Sequence, residues 1–312
     1  MSVSVVIPVH NPDKRLEVII KRLLCQNMKP EKILLVHTLD FTCDDMVMYN
    51  LGEMYKEHSI VEIIEIAPNE FDHGGTRHMA MERCTTDFCL FMTQDAVPKN
   101  KNLISKMVST LENDETIAVV YGKQEAYKYC NTIESYARLF NYPDESFVNG
   151  IDDIDEKGIK AYFLSDVCAM YRRSLYEEIG GFPTRTILNE DSIYGAKAIR
   201  MNKLIAYNAE AVVFHSHNYT GLEQFKRNFD IGVSHRQFNY IFDKVPAEGE
   251  GLKLVKETAM YLIRRHESYM LPYLIYYCAC KYLGYRLGKL YTKLPKEVIL
   301  QCTMNKGYWK QK

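Results

Sequence analysis

No stretch of this 312-residue chain is apolar for long enough to cross a bilayer. The longest run, Met270 to Ala279, is about half of the roughly 20 residues a spanning helix needs. No charged segment leads into an apolar core at the start. Val3-Ser4-Val5-Val6-Ile7-Pro8 reads as a strand, so no secretory signal is expected. There are nine Cys but no Cys-x-x-Cys pair and no zinc-like spacing, which fits reduced thiols in a cytosolic protein. Gly74-Gly75-Thr76 lacks the Lys and the spacing of a Walker phosphate loop. There is no internal repeat and no low-complexity tract. The net charge of −1 gives no polyanion-binding body, and no nucleic-acid partner is expected.

What is present is globular: 47% hydrophobic and 25% charged residues, ample for a core. The length suits a main domain, placed at 1–242, with an appendage at 252–312. That appendage holds twelve Lys/Arg against three Glu, a net of +9, while the remainder carries −10. An anionic partner is therefore expected for the tail alone.

Along the chain, β-branched apolar runs alternate with segments of helical spacing. Strands are predicted at Val3–Val9, Ile33–Leu39, Ile60–Ile66, Phe88–Thr93 and Ile117–Gly122, and helices at Asp13–Gln26, Asp44–Lys56, Thr76–Cys84 and Asn102–Asn113. Thr76 is expected to cap its helix. Residues 124–160 read as a loop-rich insert. Short strands follow at Ala161–Leu164, Val167–Tyr171 and Val212–His215, with helices at Ser174–Ile179, Asp191–Met201 and Leu222–Tyr240. Asp243–Gly251 reads as a linker, with one or two amphipathic helices beyond it. The alternation implies an α/β fold with a mostly parallel sheet. Ligands bind such sheets beyond the carboxyl ends of the strands, where His10-Asn11, Asp40, Phe71–Arg77 and Gln94–Pro98 all fall.

Asp95 follows an apolar strand and can reach a divalent ion, or it caps the turn before Pro98. His215 and His217 share a strand face if the strand continues, and imidazole suits Mn²⁺ better than Mg²⁺. Gly74-Gly75 opens a helix, whose amides and dipole attract anions, and Arg77 adds a bidentate phosphate donor. The bland alternative is a tight loop with Arg77 paired to a carboxylate. Glu190-Asp191 heads another helix. Acidic residues are routine there, yet a carboxylate kept ionised by the helix N-terminus can also serve as a general base.

Taken together these blocks resemble glycosyltransferase family 2, which has the GT-A fold, and within it the bacterial rhamnosyltransferase branch. The resembling strings are Val5–Asn11, Phe71–Arg77, Phe91–Pro98, Tyr121–Gln124, Phe140–Pro143, Phe163–Arg172, Gly180–Pro183, Glu190-Asp191, Ala209–Gly221 and Phe229–Gly232. The resemblance implies that Pro8, Val9, His10 and Asp40 line the nucleotide site, with Gly74, Gly75, Arg77 and Gln94 near the donor. It makes Asp95 and His215 ligands of Mg²⁺ or Mn²⁺, and Asp191 the base with Glu190 in reserve. Asp166, where that branch is expected to carry Asn, and His217 become donor or acceptor contacts. The 94–96 element keeps one carboxylate of an Asp-x-Asp pattern, and His37-Thr38-Leu39-Asp40 replaces the usual Asp-Asp-Gly-Ser type of turn.

The implied reaction moves rhamnose from dTDP-β-L-rhamnose to a polyprenyl-diphosphate-linked saccharide. Another nucleotide-sugar donor (a UDP-sugar), or a non-catalytic subunit that binds nucleotide-sugar within an assembly complex, are the alternatives. The tail mixes Leu254, Tyr261, Leu262, Leu271, Leu274 and Ile275 with Lys253, Lys256, Arg264, Arg265, Lys281, Arg286 and Lys289. It would hold the protein peripherally on the cytoplasmic face of the inner membrane, or else pack on the catalytic domain or form a homodimer.

Overall fold

Val3–Val9 (β1) is buried along nearly its whole length, as expected of a β-branched run covered on both faces. The structure is a computed structural model and describes residues 1–39, 46–55, 59–243 and 248–310. After β1 come α1 (Arg15–Leu24), β2 (Lys32–Thr38), α2 (Met46–Tyr55), β3 (Val61–Ile66), α3 (His73–Glu82), β4 (Phe88–Met92), β5 (Val97–Pro98), α4 (Leu103–Asn113) and β6 (Ile117–Glu125). The chain continues through α5 (Thr132–Asn141), β7 (Phe147–Asn149), α6 (Ile154–Lys157), β8 (Cys168–Arg172), α7 (Arg173–Ile179), α8 (Glu190–Arg200) and β9 (Leu204–Phe214). It ends in helices only: α9 (Gly221–Gln237), α10 (Asn239–Phe242), α11 (Glu248–Arg264), α12 (Leu271–Lys289), α13 (Lys296–Cys302) and α14 (Lys306–Lys310).

Nine strands among the described residues form one sheet in the order β3-β2-β1-β4-β8-β6-β9-β5, with β7 also beside β9. β3, β2, β1 and β4 run parallel, as do β6 and β9. β8 runs against both of its neighbours. That reversal brings the residues just before β8 to the same edge as the carboxyl ends of β1, β4, β6 and β9. A sheet edge of this kind is where ligands collect. One apolar layer, with Leu16, Ile20, Leu103 and Met107, covers one face, and a second, rich in Tyr171, Tyr176, Phe182 and Tyr194, covers the other.

Several expectations are corrected. Residues 158–162 wind into a 3-10 turn where a strand at Ala161–Leu164 was expected. The segment 124–160 holds α5 and a strand, β7, that pairs with β9. β9 starts at Leu204 rather than Val212. Its polar stretch Asn208–Glu210 hides it in the sequence, because the strand makes a bulge there opposite Gly122 and Lys123. The bulge resets the register so that Gln124 pairs with Val213 and Glu125 with Phe214, next to His215. The linker expected at Asp243–Gly251 is shorter than that, since α11 begins at Glu248. Asp40, and the start and end of the expected helix Asp44–Lys56, lie outside the described residues.

α12 lies against α9 at backbone distance. A Cβ on Gly284 would sit 2.1 Å from the Phe225 carbonyl oxygen, and one on Gly288 2.0 Å from that of Phe229. Only glycine permits this seam. The opposite face of α12 shows Ile275 (70%), Tyr282 (60%) and Leu283 (58%) to solvent. Among the described residues no helix is long and apolar enough to cross a membrane.

Candidate active site

Asp95 lies just beyond β4, and His215 and His217 just beyond β9. One ligand atom from each lies within 4.8 Å of the others. His215 Nε2 is 3.6 Å from one Asp95 oxygen and His217 Nε2 is 3.6 Å from the other. The tautomer of His215 follows from its other side. Gln124 directs its amide N–H groups to the Tyr142 hydroxyl (2.5 Å) and Ser165 Oγ (3.0 Å), so its oxygen faces His215 Nδ1 at 2.9 Å. Nδ1 therefore carries the proton and Nε2 presents a lone pair toward Asp95. This is the support that metal-binding imidazoles receive from a second layer of residues. Burial pulls His215 well below the ordinary imidazole range. Burial lowers His217 too, against the attraction of Asp95. Two neutral imidazoles and one carboxylate make a donor set that fits a divalent cation.

Beside this cluster opens a cleft of about 530 Å³ lined by Asp13, Lys14, Arg15, Tyr129, Ser216, His217 and Asn218. Arg15 reaches to 3.9 Å from Asp95 while bonding Asp13. Tyr129 stacks on Tyr127, ring centroids 5.2 Å apart. Sequence reasoning read Lys14 and Arg15 only as the start of a helix. Their signal was position, directly after the His10-Asn11-Pro12 loop at the end of β1.

A second cluster surrounds Arg77 on α3. Its guanidinium is buried and meets Glu190 at 3.0 Å and Asp166 at 3.2 Å. Burial would raise Glu190, but Arg77 and then His73 (4.0 Å away) overcome it and hold it below its ordinary value. Asp166 is buried, accepts from the Tyr171 hydroxyl at 2.6 Å, and is raised well above its ordinary value by burial despite Arg77. Asp191 differs. It is half-buried and, among the described residues, accepts backbone amides, from Ser192 (2.7 Å) and Asp166 (3.3 Å). Burial, then the charge of Glu190, pushes it up to about 6. Of the two adjacent carboxylates, Glu190 is committed to an ion pair and Asp191 is poised to take a proton near neutral pH.

The two clusters adjoin. Gln124 bonds both His215 and Ser165, and the amide of the next residue, Asp166, bonds Asp191. The loop before β8 links the two.

Other expected site residues land differently. Gly74 and Gly75 do not offer their amides to a phosphate, because both donate to Asp72 Oδ1 (3.0 and 3.2 Å). Asp72, not Thr76, caps α3. A Cβ on Gly74 would meet the Pro183 carbonyl oxygen at 1.8 Å, so this glycine serves close packing. The Arg77 guanidinium is enclosed by Glu190 and Asp166 instead of being open to a phosphate, and the Asp166 side chain is buried. The Val9 side chain lies in the core, leaving only its backbone for a ligand. Pro8 is partly covered and His10 exposed. Gln94 grips His10 through two backbone bonds of 2.8 Å and so shapes that loop. His217 lies with Asp95 and His215 in the group that could hold a metal ion. His73 and Gln124 were inside quoted strings, but nothing local showed which side chains they would meet.

The profile described as glycosyl transferase family 2 matches residues 4–180. The chain belongs to that family. This glycosyltransferase is 40% identical over 262 residues, 83% of its length and 81% of the relative's, to the O-antigen chain rhamnosyltransferase WbaN of Salmonella anatum. It is 35% identical over 311 residues, 99% of its length and 96% of the relative's, to the O-antigen chain rhamnosyltransferase RfbN of Salmonella typhimurium strain LT2. Among solved structures it is similar to the mannosyltransferase PcManGT from Pyrobaculum calidifontis in complex with GDP-Man and Mn²⁺ (TM-score 0.56, 15% identity, 99% of this chain and 85% of that one). It is also similar to Staphylococcus aureus TarS 1–349 in complex with UDP (TM-score 0.53, 16% identity, 94% and 91%). At these identities the structures speak for the fold alone, which is GT-A.

Proposed function

We propose that this glycosyltransferase moves rhamnose, with inversion, from dTDP-β-L-rhamnose to a hydroxyl of a lipid-linked surface-polysaccharide precursor. The single observation that carries the chemistry is the half-buried Asp191, raised to about 6, across one short loop from Asp95, His215 and His217. The sugar rests on the printed activities of the two relatives.

In the reaction Asp191 accepts the proton of the acceptor hydroxyl as that oxygen attacks the anomeric carbon. The bond from that carbon to the diphosphate oxygen breaks, and the nucleoside diphosphate leaves with the electron pair. A divalent cation held by Asp95, His215 and His217 would offset the charge growing on the diphosphate. Lys14 and Arg15 face the same cleft and add positive charge there. Glu190 and Asp166 hold Arg77, and the three together set the charge around Asp191. The nitrogen-rich ligand set favours Mn²⁺ over Mg²⁺. His10, Pro8, the Val9 backbone and Gln94 are assigned to the nucleotide loop.

The experiment is a donor panel against a synthetic lipid-linked acceptor. Turnover with dTDP-rhamnose at least about tenfold above any UDP-sugar is expected. Turnover with a UDP-sugar alone would replace the donor, and donor binding without turnover on any acceptor would favour a non-catalytic subunit.

We further assign residues 1–242 to catalysis and residues 252–312 to holding the enzyme against the anionic inner face of the cytoplasmic membrane. Ile275, Tyr276, Tyr282 and Leu283 form an exposed stripe on α12, with exposed Arg286 on the same helix and Lys253, Lys256, Arg264 and Arg265 nearby in sequence. Apolar side chains beside basic ones are what an interfacial helix requires. The double substitution Ile275→Glu and Leu283→Glu is expected to cut co-sedimentation with anionic vesicles about tenfold and leave turnover on a water-soluble acceptor unchanged. Unaltered sedimentation, or a dimer that dissociates on substitution, would assign the stripe to protein contact.

A further inference from the structure

The string Phe229-Asp230-Ile231-Gly232 lies on α9 and has no part in the reaction. Asp230 is fully buried. Its carboxylate accepts from Thr303 Oγ1 (2.6 Å), the Met304 amide (3.0 Å) and Asn305 Nδ2 (3.0 Å). Three donors from one short stretch, more than 70 residues later in the chain, anchor the carboxy-terminal tail. A buried carboxylate is retained only with such partners.

The anchored tail then reaches the loop that delivers the base. The Tyr308 hydroxyl donates to the Arg185 carbonyl at 3.3 Å, and Gln237 on α9 donates to Tyr308 at 2.9 Å. Buried Trp309 and Ile299 share a cluster with Ile187, Phe229 and Val233. Ile187 sits three residues before Glu190. The Asn305 side chain also lies beside His73, whose ring nitrogen lies 4.0 Å from Glu190. From its other flank the loop is held by Asp72, which accepts from the amides of Arg185 (2.6 Å) and Thr186 (3.2 Å), and by Ser234, which donates to the Leu188 carbonyl at 2.8 Å. The tail thus adds the Tyr308 bond and the Trp309 packing to the hold that Asp72 and α9 have on the 185–189 loop.

We propose that residues 303–309 are a latch, locked into Asp230, that positions Asp191 for proton abstraction. Asn305 and Trp309 are positioning residues. They touch neither donor nor acceptor and act through the loop before Glu190. This rests on Asp191 being the base. The latch also explains why the part of the chain beyond α12 folds back on the catalytic core instead of trailing from it.

The test uses full-length Asn305→Ala and Trp309→Ala proteins beside Asp191→Asn. Each latch variant is expected to lose at least tenfold in kcat while the donor KM and the nucleotide Kd stay within twofold of the parent. Hydrogen exchange should quicken at 185–189 and 303–309 and nowhere else. A general loss of structure would move donor affinity together with kcat and would overturn the proposal. So would a kcat within twofold of the parent in Asn305→Ala with exchange quickened in both segments, or no change in exchange at 185–189. If Trp309→Ala does not fold, Asn305→Ala, whose side chain is only half-buried, decides alone. Turnover retained in Asp191→Asn would instead remove the base assignment itself, whatever the latch variants show.

Discussion

Asp191→Asn is expected to lower kcat by roughly 10³-fold, within the range that loss of a general base costs, while nucleotide affinity stays near that of the parent. The argument is geometric. Asn keeps the shape and can still accept the nearer Ser192 amide at 2.7 Å, giving up only the long 3.3 Å bond from the Asp166 amide, so the loop stays in place and the main loss is basicity. Glu190→Gln should behave differently. It removes the negative partner of buried Arg77 at 3.0 Å, and breaking a buried ion pair costs on the order of 3–5 kcal/mol. That variant should lose stability first and activity as a consequence. The pH profile carries the same signature. Asp191 is raised to about 6 in the folded enzyme and works as a base only when ionised, so kcat should rise through pH 6 and level off above it. Stability should run the other way. A carboxyl with a raised folded-state pKa binds its proton more tightly folded than unfolded, so its contribution is lost as pH rises toward 6. Asp191→Asn should therefore melt at or above the parent temperature at neutral pH. A dead Glu190→Gln protein of unchanged melting temperature, beside an active Asp191→Asn protein, would shift the base by one residue.

Asp95→Asn is the second large effect. The substitution is nearly isosteric but removes the only anionic ligand of the cluster of Asp95, His215 and His217. With the charge gone, Mn²⁺-dependent donor binding should weaken by about 10²-fold and kcat/KM should fall by at least as much. Binding of nucleoside without phosphate should be unaffected, since Gln94 still fixes the His10 loop. Equal donor affinity with and without Mn²⁺ in both proteins would remove the cation from the account.

The fold was legible where the alphabet is plain. Continuous apolar runs marked β1, β2 and β4, and their order with helices between implied the sheet. What the sequence hid depends on pairing. β9 is interrupted by a polar bulge, β7 is three residues long, and the apolar run Ala161–Leu164 begins inside a 3-10 turn. At the site, Asp95, His215 and Asp191 stood out because each follows a strand or heads a helix, and the structure does bring Asp95 and His215 together. For Arg77 and Gly74-Gly75 the sequence left a phosphate cradle and a tight loop with Arg77 on a carboxylate both open, since nothing local reveals that Asp72 fills the amides or that two carboxylates enclose the arginine. Gln124, Asp230 and the tail act only through partners far away in sequence, so their parts emerge only in three dimensions.

The central claim is that one cleft holds the cation and the base on opposite sides of the sugar. It is tested most directly by anomalous diffraction from crystals of the Asp191→Asn protein grown with donor and Mn²⁺. The expected result is a single strong peak in contact with Asp95, His215 and His217 and the donor diphosphate, with the anomeric carbon turned toward position 191. A peak elsewhere, or protein standing between that carbon and position 191, would contradict it.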